Sequence, residues 1–179
     1  MFLLNYVSPD MAASPIDEIY NLFPKDIGPP QPLQLMSASP GFLACQFEFI
    51  KYYTNHPKLS FSLLAAIRYM AANDCDHKYC IRFNQNILMA AGADGEALEA
   101  IKADPDNAPL EDNERAMLKF VSKAVKTPEA ITHSDVEALR NVGWEDSDIL
   151  DGVAHGAFMN GHSILMKAFS NKAADSPNL

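Results

Sequence analysis

The sequence predicts an all-α protein, a single-domain helical bundle of about seven to eight helices. Three observations carry this. Apolar residues recur at three- and four-residue spacing through most of the 179 residues. The breaks between these segments carry helix signals: Ser-Pro starts, a Thr-x-x-Asp box and glycine stops. No stretch alternates apolar and polar residues between hairpin turns, as strands would.

The elements follow in order. Ser14-Pro15 with Asp17 and Glu18 reads as an N-cap, an N1 proline and an acidic first turn that suits the helix dipole; this helix stops near Phe23-Pro24. Gly28-Pro29-Pro30-Gln31-Pro32 reads as a stiff, extended connector. Too few residues precede it for a separate domain, so residues 1–32 read as an N-terminal arm with one helix packed on the body. The helical domain spans 33–170, and 171–179 reads as a frayed tail.

Ser39-Pro40 opens a helix with an aromatic-rich stripe (Phe42, Leu43, Gln46, Phe47, Phe49, Ile50), closed by Asn55-His56-Pro57. Cys45, inside this stripe, reads as core. Leu59 to Ala72 is apolar almost all round and belongs in the centre of a bundle or at a subunit interface. Asn73 to Asp76 breaks it, and His77 to Ala91 forms the next helix, stopped by Gly92. A short helix from Gly95 to Lys102 precedes the polar loop Asp104 to Pro109. Glu111 to Lys126 is amphipathic, with Ala116, Leu118, Phe120, Val121 and Val125 facing inward. Thr132 and Asp135 form a capping box for a helix ending at Val142-Gly143. Trp144 clamps the junction to a last helix that runs to Phe169.

The balance of charge excludes some functions. A net charge of -9 and an isoelectric point near 4.9 repel phosphate backbones and anionic membrane surfaces. No apolar run approaches the roughly 20 residues that span a bilayer. Met1 to Val7 lacks a basic flank and runs into Ser8-Pro9-Asp10, so it does not read as a signal peptide. Three cysteines, an odd number, are not a secreted disulfide framework, and the expected compartment is the cytoplasm.

Two blocks carry a family resemblance. The first is Ala71-Ala-Asn-Asp-Cys-Asp-His-Lys-Tyr-Cys80-Ile-Arg-Phe-Asn84, ending on Ala91-Gly92. The second runs from Leu110-Glu-Asp-Asn-Glu-Arg-Ala-Met-Leu through Thr127-Pro-Glu-Ala-Ile-Thr and Asp135-Val-Glu-Ala-Leu-Arg-Asn-Val-Gly143 to Ile149-Leu-Asp and Ala157-Phe-Met-Asn160. In order and spacing, with Ser39-Pro40-Gly41-Phe42 upstream, they resemble the alkylhydroperoxidase D-like / carboxymuconolactone decarboxylase family, in its peroxidase-related branch. The resemblance covers about Leu33 to Phe169.

The resemblance implies a thiol peroxidase. One cysteine of a Cys-x-x-Cys pair attacks a hydroperoxide, and its sulfenic acid condenses with the other. A Glu one helix back and a His after the pair relay the proton. This chain departs at three positions: the first cysteine falls on His77, the downstream His on Asn84, and the upstream Glu near Ala65. Cys80 and Tyr79 remain, and Cys75 lies five residues before Cys80. On one continuous helix that spacing sets the side chains about 140° apart, with Cα atoms roughly 8 Å apart, beyond disulfide reach. With Cys75 in the turn before the helix, the objection weakens.

A second reading makes Cys80 a single reactive thiol with His77 as its base, since i and i+3 share a helix face. The plain alternative is a solvated His77 and a buried, inert Cys80. A thiol at a helix N-terminus is expected to be the most reactive of the three, and Cys45 the least. Phe83 and Phe158 are expected to line the cavity of Cys80. His155 and His162, at i and i+7 with Asn160 near, are placed to meet His77, and a histidine satisfied by backbone or water outweighs a metal site there. Arg68 and Arg82 are candidates for an acidic ligand. No metal or cofactor is implied.

Three functions follow as expectations: a hydroperoxide-directed thiol redox protein with an altered, degenerate site; a decarboxylase-like enzyme on a small carboxylate; or a non-catalytic oligomer that binds a ligand or partner. The expected partners are a small-molecule substrate, a thiol reductant protein and further copies of the chain as a dimer, trimer or hexamer.

Overall fold

A computed structural model describes residues 2–23, 25 and 28–171. Among them are nine α-helices and three 3₁₀ turns. The only extended pairing among the described residues is an isolated bridge between Phe2 and Ser170. The all-α prediction therefore holds. By internal contacts the chain divides into two units, one of residues up to Asn55 with those from Ile164 on, the other His56–Ser163.

The first unit contains α1 (Ile16–Tyr20), α2 (Gln31–Met36) and α3 (Pro40–Thr54). Its core gathers Ile16, Ile19, Tyr20, Leu33, Met36 and Leu43. The early residues are tied in by hydrogen bonds. Val7 N–H donates to Ser37 Oγ at 2.7 Å, the Tyr20 hydroxyl to Val7 O at 2.9 Å and Leu3 N–H to Phe169 O at 2.8 Å.

Four expectations are corrected here. The proline connector ends two residues early, because Gln31 and Pro32 already form the first turn of α2, where proline needs no N–H partner. Ser14 does not cap α1; its hydroxyl bonds Glu18 at 2.7 Å, and the helix starts after Pro15. The stripe of α3 is only partly buried: Leu43, Gln46 and Tyr53 face inward, while Phe42 is exposed. Cys45 is exposed as well, one position off the buried line. Pro24, the expected stop of the first helix, lies outside the described residues, as do 172–179 of the expected tail.

The second unit is built on α4 (Phe61–Asp74), capped by the Ser60 hydroxyl, which accepts from Leu63 N–H. Leu63 to Ala72 are buried except Arg68, which is half-buried. Of the two places the sequence allowed for an all-round apolar helix, this one is the centre of a bundle. Against it pack α5 (Lys78–Ala90), α6 (Gly95–Ala103) and α7 (Asp112–Lys126); α8 (His133–Asn141) packs on α7, and α9 (Asp146–Phe169), up to Ser163, meets α4 through His155.

Local chemistry fixes these ends as predicted. Gly92 and Gly143 take φ of +103° and +99°, the left-handed conformation that stops a helix. Both halves of the Thr132–Asp135 capping box are formed. Trp144 is buried, and its indole N–H donates to Asn113 O at 2.9 Å, tying the α8–α9 junction to the start of α7. The inward face of α7 is Met117, Leu118, Phe120, Val121 and Ala124; Ala116 and Val125 are only half-buried. α9 comes close enough to α7 that a Cβ on Gly156 would stand 2.9 Å from a Val121 methyl.

Candidate functional site

The predicted site residues fall on three elements of the second unit. Cys75 is the C-cap of α4, and Asp76 follows with φ of +47°, a left-handed residue that reverses the chain. His77 is then the N-cap of α5, and Cys80 sits in its first turn. The two cysteines therefore do not share a helix, and the objection from a 140° offset does not apply. No disulfide links them.

Their environments differ. Cys75 is half-buried, and its thiol donates to Asn160 Oδ1 on α9 at 3.0 Å. Cys80 is 3% exposed and packs in a cluster with Ala71, Ala72 and Met159, flanked by Tyr79 and Ile81. Burial, helped by the charge of nearby Cys75, pushes the Cys80 thiol up to about 11. The helix N-terminus favours a thiolate, but here desolvation wins. The burial behind the expected order of reactivity is reversed: Cys45 is exposed and Cys80 is buried.

His77 is engaged as a helix cap. Its Nδ1 accepts the Cys80 backbone N–H at 3.3 Å, which completes the cap of α5. A neutral imidazole has one ring lone pair, and here it is engaged. Phe83 and Phe158 are not members of the Cys80 cluster. Phe83 stacks on Tyr79 at 6.0 Å, and Phe158 is exposed, edge-on to His162 at 6.5 Å.

Beside Cys80 lies a polar cluster around Arg68, a candidate in the sequence for an acidic ligand. Its Nε donates to Asn84 Oδ1 at 2.9 Å, and its Nη1 to His155 Nε2 at 3.1 Å. Asn84 is 1% exposed and passes the connection on, donating from Nδ2 to Cys80 O at 2.8 Å. Burial alone pulls the guanidinium down to about 10, so it stays charged at neutral pH. Burial first, then the Arg68 and His162 charges, hold His155 down at about 3; a hydrogen bond with the Leu64 backbone opposes them. His162 is also pulled down by burial. The imidazole of His155 is thus neutral, with Nε2 as its acceptor. Among the described residues no three histidine, cysteine or carboxylate side chains converge to hold a metal ion.

This arrangement of helices has counterparts among solved structures. A crystal structure of an alkylhydroperoxidase AhpD core, an uncharacterized peroxidase-related protein from Ralstonia eutropha JMP134, superposes with a TM-score of 0.76 and 20% identity. The match covers 96% of this chain and 93% of that one. The chain has the alkylhydroperoxidase AhpD core fold. A second structure, an uncharacterized peroxidase-related protein from Silicibacter sp. TM1040, gives a TM-score of 0.74 at 20% identity over 93% of this chain and 92% of that one. No family model and no curated protein matches the sequence.

Within this AhpD-core fold, Ala65, where the resemblance places a glutamate, is fully buried on α4. Arg68 follows it by three residues, so this stretch of α4 carries a positive charge where the resemblance calls for a negative one. An apolar groove of about 390 Å³ lies elsewhere on this unit, between α7, α8 and α9, lined by Phe120, Ala124, Ile131, Val136, Ile149 and Leu150 among others. None of the site residues lines it. No described helix is long and apolar enough to cross a membrane.

Proposed function

We propose that the chain is a thiol-dependent hydroperoxide reductase whose redox pair is Cys75 and Cys80, slow because its proton relay is missing. The observation that carries this is the left-handed turn at Asp76. It puts one thiol at the end of α4 and the other at the start of α5, close enough for Cys75 to raise the Cys80 thiol. The accessible partner, Cys75, is the attacking thiol. Its thiolate takes the distal oxygen of a hydroperoxide, the O–O bond breaks, and the released alkoxide leaves as the alcohol after protonation. Cys75 is then a sulfenic acid. The Cys80 thiol condenses with it, forming the disulfide and releasing water. An external dithiol returns two electrons.

The rate follows from the surroundings. Neither Ala65 nor Asn84 can move a proton at neutral pH. Cys80 is protonated there, which slows resolution. The test is to add one equivalent of cumene hydroperoxide to the reduced protein and count thiols. The expected result is loss of two thiols, a mass lower by about 2 Da and a Cys75–Cys80 cross-linked peptide. Unchanged thiols, or oxidation at Cys75 that stops at sulfinic acid, refutes the pair.

A further inference from the structure

Arg68 is a charge without a counter-charge. Its two hydrogen bonds go to neutral groups, Asn84 and His155, and its Nη2 has no acceptor among the described residues. No carboxylate acts on it; burial is the only influence on its ionisation. The nearest place on α4 for an acid, one turn back, is Ala65 at 0% exposure. Taking a charge out of water is costly unless an opposite charge compensates, and an amide and an imidazole compensate only in part. The two neutral partners engage Nε and Nη1, which leaves both Nη2 N–H groups without an acceptor among the described residues, donors of the kind that grip a carboxylate.

We infer that the Arg68–Asn84–His155 cluster is an anion subsite, and that the hydroperoxide this protein takes carries a carboxylate or a similar planar oxyanion. This deepens the thiol-peroxidase reading and rests on it for the reacting group, although binding of the anion does not require it. The cluster is joined to the redox pair, because Asn84 spans from Arg68 to the Cys80 carbonyl. Arg68 and Cys75 are seven residues apart on α4, so they share its face about two turns, roughly 10 Å, apart. A ligand that reaches both carries its acid group several bonds from its peroxide. The neutral state of His155 matters here. It lets Nε2 accept from Arg68 and adds no second cation that would compete for the anion.

The experiment uses the full chain, with Cys75→Ser and Cys80→Ser introduced together to remove redox chemistry. Acetate and benzoate are titrated against it by calorimetry at pH 7.5, with benzamide as the uncharged isostere. The expected result is binding of at least one carboxylate and tenfold weaker or no binding of benzamide. Arg68→Met should lose carboxylate binding at least tenfold. Asn84→Asp should do the same by placing a carboxylate against Nε, and its fold gains a counter-ion, so it remains informative if Arg68→Met does not fold. Equal binding of benzoate and benzamide, no binding of either carboxylate, or unchanged binding in Asn84→Asp overturns the subsite. The two readings fail separately. Carboxylate binding without Cys75–Cys80 disulfide formation in the unaltered protein sinks the redox pair alone. Disulfide formation without carboxylate binding sinks the anion subsite alone.

Discussion

Arg68 donates from Nη1 to Nε2 of His155 at 3.1 Å, a half-buried cation held by a buried, neutral imidazole of the second unit. Since arginine offers no acceptor, Nε2 must be unprotonated, and the hydrogen bond exists only while His155 is neutral.

That relationship sets a pH dependence. His155 is held down at about 3 in the fold, against 6.5 unfolded. The unfolded chain therefore binds more protons than the fold between these values. Stability from this group is fully present above pH 6.5 and is lost as pH falls toward 3, at up to about 1.4 kcal/mol per pH unit. Urea melts at pH 7.5, 6 and 5 should show this slope in the unaltered protein and a shallower one in His155→Gln. Equal slopes would show that His155 protonates without cost.

Thiol accessibility predicts the order of alkylation. Cys45 is exposed, Cys75 half-buried and Cys80 buried with its thiol raised to about 11. Brief iodoacetamide treatment of the native protein, read by peptide mass spectrometry, should label Cys45 first and Cys80 last. Early labelling of Cys80 would mean that the helix N-terminus outweighs burial after all.

Turnover should be low. General acid–base assistance contributes about 10²–10⁴-fold, and positions 65 and 84 do not supply it. In a peroxide-consumption assay with a dithiol reductant, Cys75→Ser and Cys80→Ser should each abolish the residual activity. His77→Cys recreates Cys-x-x-Cys and should raise activity, while loss of the His77 cap costs about 1 kcal/mol of stability. An unaltered protein that already runs at the rate of relatives with the full Glu, Cys-x-x-Cys and His set would show that the relay is dispensable.

Gly156→Ala tests the packing of α9 on α7. The added Cβ would meet Val121 at 2.9 Å and Val125 at 3.0 Å. Overpacking of this kind costs about 1–3 kcal/mol. A lower melting temperature is expected, and Gly161→Ala, whose Cβ meets nothing within 4 Å, is the control.

Local signals made most of the fold legible. Ser39-Pro40, Gly92, Gly143 and the Thr132–Asp135 box each act within one turn of chain, so composition and spacing suffice to place them. α2 is not legible because its prolines also suit an extended connector; only the helical backbone from Gln31 onward separates the two. On α3, aromatic periodicity implies burial, yet Phe42 and Cys45 face out. Periodicity marks an apolar face but does not say what covers it.

The sequence by itself determined the helical class and nearly every helix end. These depend on residue identity and short-range spacing. Only the tertiary structure decided which thiol is accessible, that His77 caps a helix, and that Arg68, Asn84 and His155 meet. Arg68 lies 16 residues from Asn84 and 87 from His155. No local pattern encodes contacts at that separation. They arise when α4, α5 and α9 pack, and that packing also sets the burial that shifts each group's proton affinity.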